Sequence, residues 1–219
     1  MKRVFLLSPA DCNGDRARWL VSRTARSDVA QKLRSPEGAP LGEVFTFLSA
    51  LYFRGKLAYA RAFARPPDAR GGVFVITPTR GLVPYDAAIR LSTLRGFARV
   101  PIHKDNPLYR RSLKRTARML ADAVGGDCEV VLLGSIATGK YLDVLQSIFG
   151  VRLLVPADFI GLGDMSRGGL MLRCVREGRE LEYIAAERAV ALSRLPRVTR
   201  GGARGLPAPP DIDREEDAR

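Results

Sequence analysis

Histidine occurs once among the 219 residues, tryptophan once and cysteine three times. These scarcities remove whole chemistries. Protein zinc sites draw on Cys and His; here His103 stands alone, and Cys12, Cys128 and Cys174 are scattered with no CxxC pair, so no metal centre is expected. An odd number of thiols fits a reducing compartment better than a disulfide scaffold. Cys128 and Cys174 fall in apolar segments and read as core fillers. Cys12 falls in a polar loop, where a thiol can be reactive. Long hydrophobic runs are missing too. None approaches the roughly 20 residues that cross a bilayer. The run of residues 4–7 behind Met1-Lys2-Arg3 is too short for a signal peptide and is closed by Ser8-Pro9. A cytoplasmic protein with no membrane partner is the expectation. Acids are outnumbered, 23 Asp and Glu against 36 Lys and Arg, for a net charge of +13. Such a balance points to a polyanion, nucleic acid first, although an arginine-rich coding bias produces the same excess without any ligand.

What is present is enough apolar material, 46% of the chain, for one sizeable core. Residues 128–133 form a short apolar run with the length of a buried strand. The run stops at Gly134, passes a small-residue turn, and continues into a helical pattern from Tyr141 to Phe149, in which Leu142, Leu145 and Phe149 share a face. A strand that enters a helix through Gly and Ser leaves backbone N–H groups open to an anion. Gly134, Gly139 and Lys140 are spaced as in the phosphate loop of nucleotide hydrolases. That pattern wants a Ser or Thr hydroxyl for magnesium after the lysine, and this chain has Tyr141.

Buried strands of the same kind are expected at residues 3–7, 72–77 and 151–155, with a short edge strand at 99–102. Helices are expected from Asp15 to Ser22, behind Ser27-Asp28, from Leu41 to Ala64 with a kink or break at Gly55, and from Pro107 to Val124. Residues 170–175 and 180–185 alternate in hydrophobicity around a polar turn and read as a hairpin. Strands alternating with helices make an α/β fold. The expectation is a three-layer sandwich with a mostly parallel central sheet, helices on both faces and a C-terminal β-hairpin. Residues 1–193 form one domain, and 194–219, rich in Pro, Gly and Arg, read as a disordered tail.

Ligands of open α/β sheets bind beyond the carboxyl ends of the strands, which selects the loops after Leu7, Thr77 and Leu133. They supply Asp11 and Asn13, Thr77, Arg80 and Gly81, then Gly134, Ser135, Thr138, Lys140 and Tyr141. A late loop, residues 161–169, combines four glycines with Asp164, Ser166 and Arg167. Lys56 falls off the apolar stripe of its helix and reads as an outer residue. Arg110, Arg111, Lys114, Arg115 and Arg118 fall on the outer stripe of one helix without interleaved acids, a footprint for phosphate backbone.

Residues 77–84, 134–141 and 164–169 together resemble a group of uncharacterised bacterial proteins. More remotely, the order of elements over residues 1–160 is similar to domains of archaeosine-synthase-type tRNA-modification proteins, themselves similar in architecture to uracil-DNA glycosylases. The most specific point is Gly81-Leu82-Val83-Pro84. Those relatives carry a Cys-Ser-x-x-Lys-type cluster after the first strand, where this chain reads Ser8-Pro9-Ala10-Asp11-Cys12. The resemblance implies a protein that recognises a nucleobase or nucleotide and acts on nucleic acid, by base modification or by glycosidic base removal or exchange. Asp11 and Asp164 would be its catalytic carboxylates, with Asp11 as general base or cation stabiliser. Arg80 and Lys140 would hold phosphate, Ser166 and Arg167 would contact the ligand, and no cofactor is implied. Two other readings stand beside it. One is a phosphate-loop-like nucleotide-binding enzyme, with Lys140 on the phosphates and Asp158 on magnesium. The other is a non-catalytic nucleic-acid-binding module working through the basic helix.

Overall fold

A computed structural model describes residues 1–68, 71–136 and 139–194. The elements run, in chain order, β1 (Arg3–Leu7), α1 (Asp15–Val21), α2 (Asp28–Arg34), β2 (Ala39–Pro40), α3 (Leu41–Phe63), β3 (Val73–Thr77), β4 (Gly81–Pro84), β5 (Ala88–Ile89), α4 (Leu91–Ala98), α5 (Pro107–Val124), β6 (Glu129–Leu133), α6 (Leu142–Phe149), β7 (Leu153–Pro156), α7 (Asp164–Glu177), β8 (Tyr183–Ala185) and α8 (Ala186–Arg194). The fold is mixed α/β. Six strands form one sheet in the order β4-β3-β1-β6-β7-β8, and β2 pairs separately with β5. β3, β1, β6 and β7 are parallel. The edges β4 and β8 run antiparallel to their neighbours.

The side-chain period of two in a strand sends alternate residues to opposite faces, and β1 uses both. Phe5 and Leu7 join a core with residues of α1, α2, α3 and α7. Val4 and Leu6 join a second core with residues of α5, α6 and α8. Residues 4–7 are fully buried, which is why they read as a continuous apolar run rather than an alternating one. The connection from β1 leads to β3 on one side, and the later connection through α5 leads to β6 on the other. The switch in winding direction therefore falls between β1 and β6, where open sheets form a crevice at their carboxyl ends.

At the amino ends of the strands a polar cluster ties the sheet together. Arg3 is buried; its Nε donates to Glu129 Oε2 at 2.8 Å, and it also pairs with Glu180. Arg65 reaches Glu180 at 3.1 Å. The hydroxyl of Tyr183 donates to Glu180 Oε1 at 3.0 Å, and it shares a 2.7 Å hydrogen bond with the hydroxyl of Tyr59.

Several sequence expectations are corrected. Residues 170–175 are not a hairpin strand but part of α7, whose buried positions Gly168, Met171 and Cys174 lie three residues apart on one face. Gly178, expected in a hairpin turn, is the left-handed cap that ends this helix (φ 62°, ψ 20°). Asp164, Ser166, Arg167, Gly168 and Gly169 consequently belong to a helix, not a loop. The exit after Thr77 is no open loop; it folds back as β4. Residues 99–102 form no strand. Tail residues 195–219 lie outside the described residues, as does Thr138. No helix among the described residues is long and apolar enough to cross a membrane.

The break in α3 falls at Ala50, not Gly55. Ala50 has φ 46° and ψ −120°, and among the described residues no other non-glycine residue has positive φ. Gly55 has a different task. A Cβ placed on it would meet the carbonyl oxygen of Gly168 at 2.6 Å, and a Cβ on Gly168 would meet the Leu51 carbonyl oxygen and Tyr52 Cα at 3.0 Å. The two glycines let the backbones of α3 and α7 touch.

Candidate functional site

The segments leaving β1, β3 and β6 and the start of α7 meet around one open hollow of about 570 Å³. Residues 8–13, Ser49, Tyr52, Pro78, Phe97, residues 100–102, Ser135, Lys140, Tyr141 and Asp164 line it. Sequence-expected residues Asp11, Asn13, Ser135, Lys140, Tyr141 and Asp164 are thereby brought together from distant parts of the chain. Gly134 makes the convergence possible. A Cβ there would lie 2.8 Å from Ser8 Cβ and 2.9 Å from the Tyr141 hydroxyl, so only glycine lets the exits of β1 and β6 close on each other.

Other expected residues stand elsewhere. Arg80 is exposed and donates to Thr93 Oγ1 at 3.0 Å. Thr77 is buried; its Oγ1 donates to the Gly81 carbonyl at 2.9 Å and accepts the Arg80 N–H at 3.2 Å, closing the β3–β4 turn. Gly81 faces α5. A Cβ there would meet Thr116 Oγ1 at 2.2 Å, so its role is packing, not ligand approach. Arg167 directs Nε and Nη2 to the Phe159 carbonyl at 3.2 and 2.8 Å and lies over the Phe159 ring, which fastens the start of α7. Ser166 is exposed on α7 outside the hollow lining. Of the expected phosphate and ligand contacts Arg80, Lys140 and Arg167, Lys140 alone is among the residues that line the hollow. The hollow carries one lysine against two aspartates.

Behind its floor, on the buried side of Ser8, lies a lysine that sequence reasoning missed. Lys56 is 1% exposed, and its Nζ donates to the Ser8 carbonyl at 2.6 Å and to Ser8 Oγ at 2.8 Å. The ammonium lies 4.3 Å from the centre of the Tyr52 ring and 5.0 Å from that of Phe53. Burial lowers the Lys56 pKa to about 7, with Asp164 opposing through space: a charge without solvent favours losing its proton. The signal was readable in part. Tyr52, Lys56 and Tyr59 are spaced i, i+4, i+7, so they share a face, and both tyrosines are buried.

Around this floor the phenols are held neutral. Burial pushes Tyr141 up to about 12, with Tyr52 adding and Ser8 opposing. Burial also raises Tyr52, with Asp164 adding and Arg167 opposing. The Tyr52 hydroxyl is buried, with the Arg167 and Ser8 side chains as its polar neighbours. Ala50, held in a conformation that costs roughly 1–3 kcal/mol, sits between the two α3 residues of the lining, Ser49 and Tyr52. Cys12 lines the hollow but is 8% exposed, and burial drives its thiol up to about 12. That shift disfavours the thiolate on which cysteine reactivity depends.

Asp11 Oδ1 accepts the Asn13 N–H at 2.8 Å, which shapes the loop behind β1. At the rim, residues 100–102 lead within a few residues into α5, whose start is capped by the Asn106 side chain. Arg111, Lys114, Arg115 and Arg118 are exposed along this helix, and Arg110 donates to the Lys104 carbonyl at 3.0 Å. No group of three or more His, Cys, Asp or Glu among the described residues could hold a metal ion. No family model matches the chain, and neither a curated protein nor a solved structure matches it.

Proposed function

We propose that the protein binds nucleic acid along α5 and receives a nucleobase or nucleoside in the hollow, where it acts on it by base modification or by glycosidic base removal or exchange. The observation that carries this reading is the division of charge. Exposed basic side chains lie along α5, while the hollow reached across residues 100–102 has two carboxylates, one lysine and aromatic walls. Phosphate belongs with the first surface. An uncharged base, taken out of its stack and held by hydrogen bonds and ring stacking, belongs with the second. Asp11 and Asp164 are then the groups that exchange protons with the base or stabilise a sugar cation. The frame proposed for this site is a three-layer sandwich, supported by the partition of β1 residues between two cores.

The phosphate-loop reading loses support. Tyr141 stands where a magnesium-binding hydroxyl is required, and its own hydroxyl is directed at Gly134 and Ser8. Asp158 is exposed and does not line the hollow.

Anisotropy titrations of labelled single-stranded RNA and DNA, repeated across a range of salt concentrations, test the proposal. Binding that weakens with salt is expected. In the variant Arg111→Glu/Lys114→Glu/Arg115→Glu the log–log slope should fall by about 0.7 for each phosphate that is no longer neutralised. Absence of binding at low salt, or a variant that binds like the parent, would refute the reading.

A further inference from the structure

We infer that Ser8 is a nucleophile and Lys56 its general base, so that the hollow also cleaves an acyl group, an ester or amide, through a covalent Ser8 intermediate. This goes beyond the nucleic-acid reading and does not require it.

The geometry supplies each part. Ser8 follows the last residue of the central strand β1, at the switch in winding direction, and lines the hollow. Lys56 Nζ lies 2.8 Å from its Oγ, within proton-transfer reach. The same Nζ is anchored by the Ser8 carbonyl at 2.6 Å, which fixes the direction of approach. A serine activated by a buried lysine is a known variant of the serine–base arrangement. The groups facing Lys56 are Ser8, the rings of Tyr52 and Phe53, and, through space, Asp164 of α7. None of them removes the need to shed the charge, so near neutral pH a large share of Lys56 is the free amine that a base must be. Tyr52 Oη, buried with the Ser8 and Arg167 side chains as its polar neighbours, is the donor proposed for a developing oxyanion. That residue is held on the distorted turn of α3 at Ala50.

The steps balance. Ser8 Oγ bonds to the acyl carbon as its proton passes to Lys56 Nζ, and the carbonyl π pair moves to oxygen beside Tyr52 Oη. The pair returns, the bond from carbon to the leaving oxygen or nitrogen breaks, and the Lys56 ammonium protonates the leaving group. Water then attacks the Ser8 ester, with Lys56 again taking and returning a proton. The products are the carboxylic acid, the free alcohol or amine, and unchanged Ser8.

A fluorophosphonate probe, which labels activated serines and carries no nucleotide, tests this on the full chain with intact-mass and peptide mapping. One adduct at Ser8 is expected, forming about tenfold faster at pH 8 than at pH 6, as expected for a base that titrates midway between. Lys56→Met should slow labelling by about 100-fold or more, and Ser8→Ala should abolish it. Wild-type protein without a Ser8 adduct, or with a rate flat from pH 6 to 9, overturns the inference without any variant having to fold. So does a folded Lys56→Met variant labelled at the parental rate. Each of these outcomes is independent of the nucleic-acid titrations.

Discussion

Replacing Lys56 with methionine keeps an unbranched chain of similar length but removes the ammonium, and it should change how stability depends on pH. In the unfolded chain a lysine titrates near its ordinary value of 10.5, and burial lowers Lys56 to about 7 in the folded protein. Between these two values the unfolded state holds a proton that the folded state has released. Stability therefore rises with pH through that window, and below pH 7 the full cost of a buried charge is present. Each pH unit is worth about 1.4 kcal/mol. Lys56 is still half protonated at pH 7, so from pH 7 to pH 9 the wild type should gain about 2 kcal/mol from this group alone, and the variant should gain nothing from it. Urea denaturation of both proteins at pH 6, 7.5 and 9 measures the difference. The variant forfeits the two hydrogen bonds to Ser8, worth about 1–3 kcal/mol for each bond to a charged group. It should still converge on or exceed the wild type at pH 6, where the charge is most costly, and fall behind it at pH 9. Parallel curves for the two proteins would refute the reasoning, because Lys56 would then keep its proton when folded and could not serve as a base.

Two further outcomes follow from packing. Glu180→Ala leaves Arg3, buried at the amino edge of the sheet, with one carboxylate in place of two. Because Glu129 still compensates Arg3, a loss of about 1–3 kcal/mol is expected from removing a hydrogen bond to a charged group, read as a lowered denaturation midpoint with an unchanged slope. Gly168→Ala places a methyl group 3.0 Å from the backbone of Leu51 and Tyr52. It should cost about 1–3 kcal/mol and alter the quenching of an aromatic ligand or probe bound in the hollow.

The parallel strands were legible because each is buried on both faces and so stands out as an unbroken apolar run bounded by polar residues. α5 was legible because Pro107 begins it, Gly125 ends it, and Tyr109, Leu113, Ala117, Leu120 and Val124 repeat at helical spacing along its buried side. α7 was not. Its buried face consists of Gly168, Met171 and Cys174, a stripe too small and too polar in its surroundings to announce a helix, while its alternating apolar residues imitate a strand. Small residues were chosen there by the neighbouring backbone of α3, a meeting of segments more than a hundred residues apart. Lys56 was misplaced for a related reason. A lysine in an amphipathic helix reads as solvent-facing, and only the tertiary meeting of α3 with the exit of β1 supplies the Ser8 oxygens that let it stay inside. The glycine-bearing turns were recognised as places of close approach, but which neighbour approaches, α5 for Gly81 and Ser8 for Gly134, is information the local chain does not hold.

The touching backbones of α3 and α7 have a reach beyond stability. Tyr52 and Lys56 flank Gly55 on one rod, and Asp164 begins the other one turn before Gly168. The spacing between a phenol, an amine and a carboxylate is thus gauged by a junction that has no side chains with which to yield. A single added methyl group there, wedged between the two helices, would change the distance between the buried amine and the carboxylate.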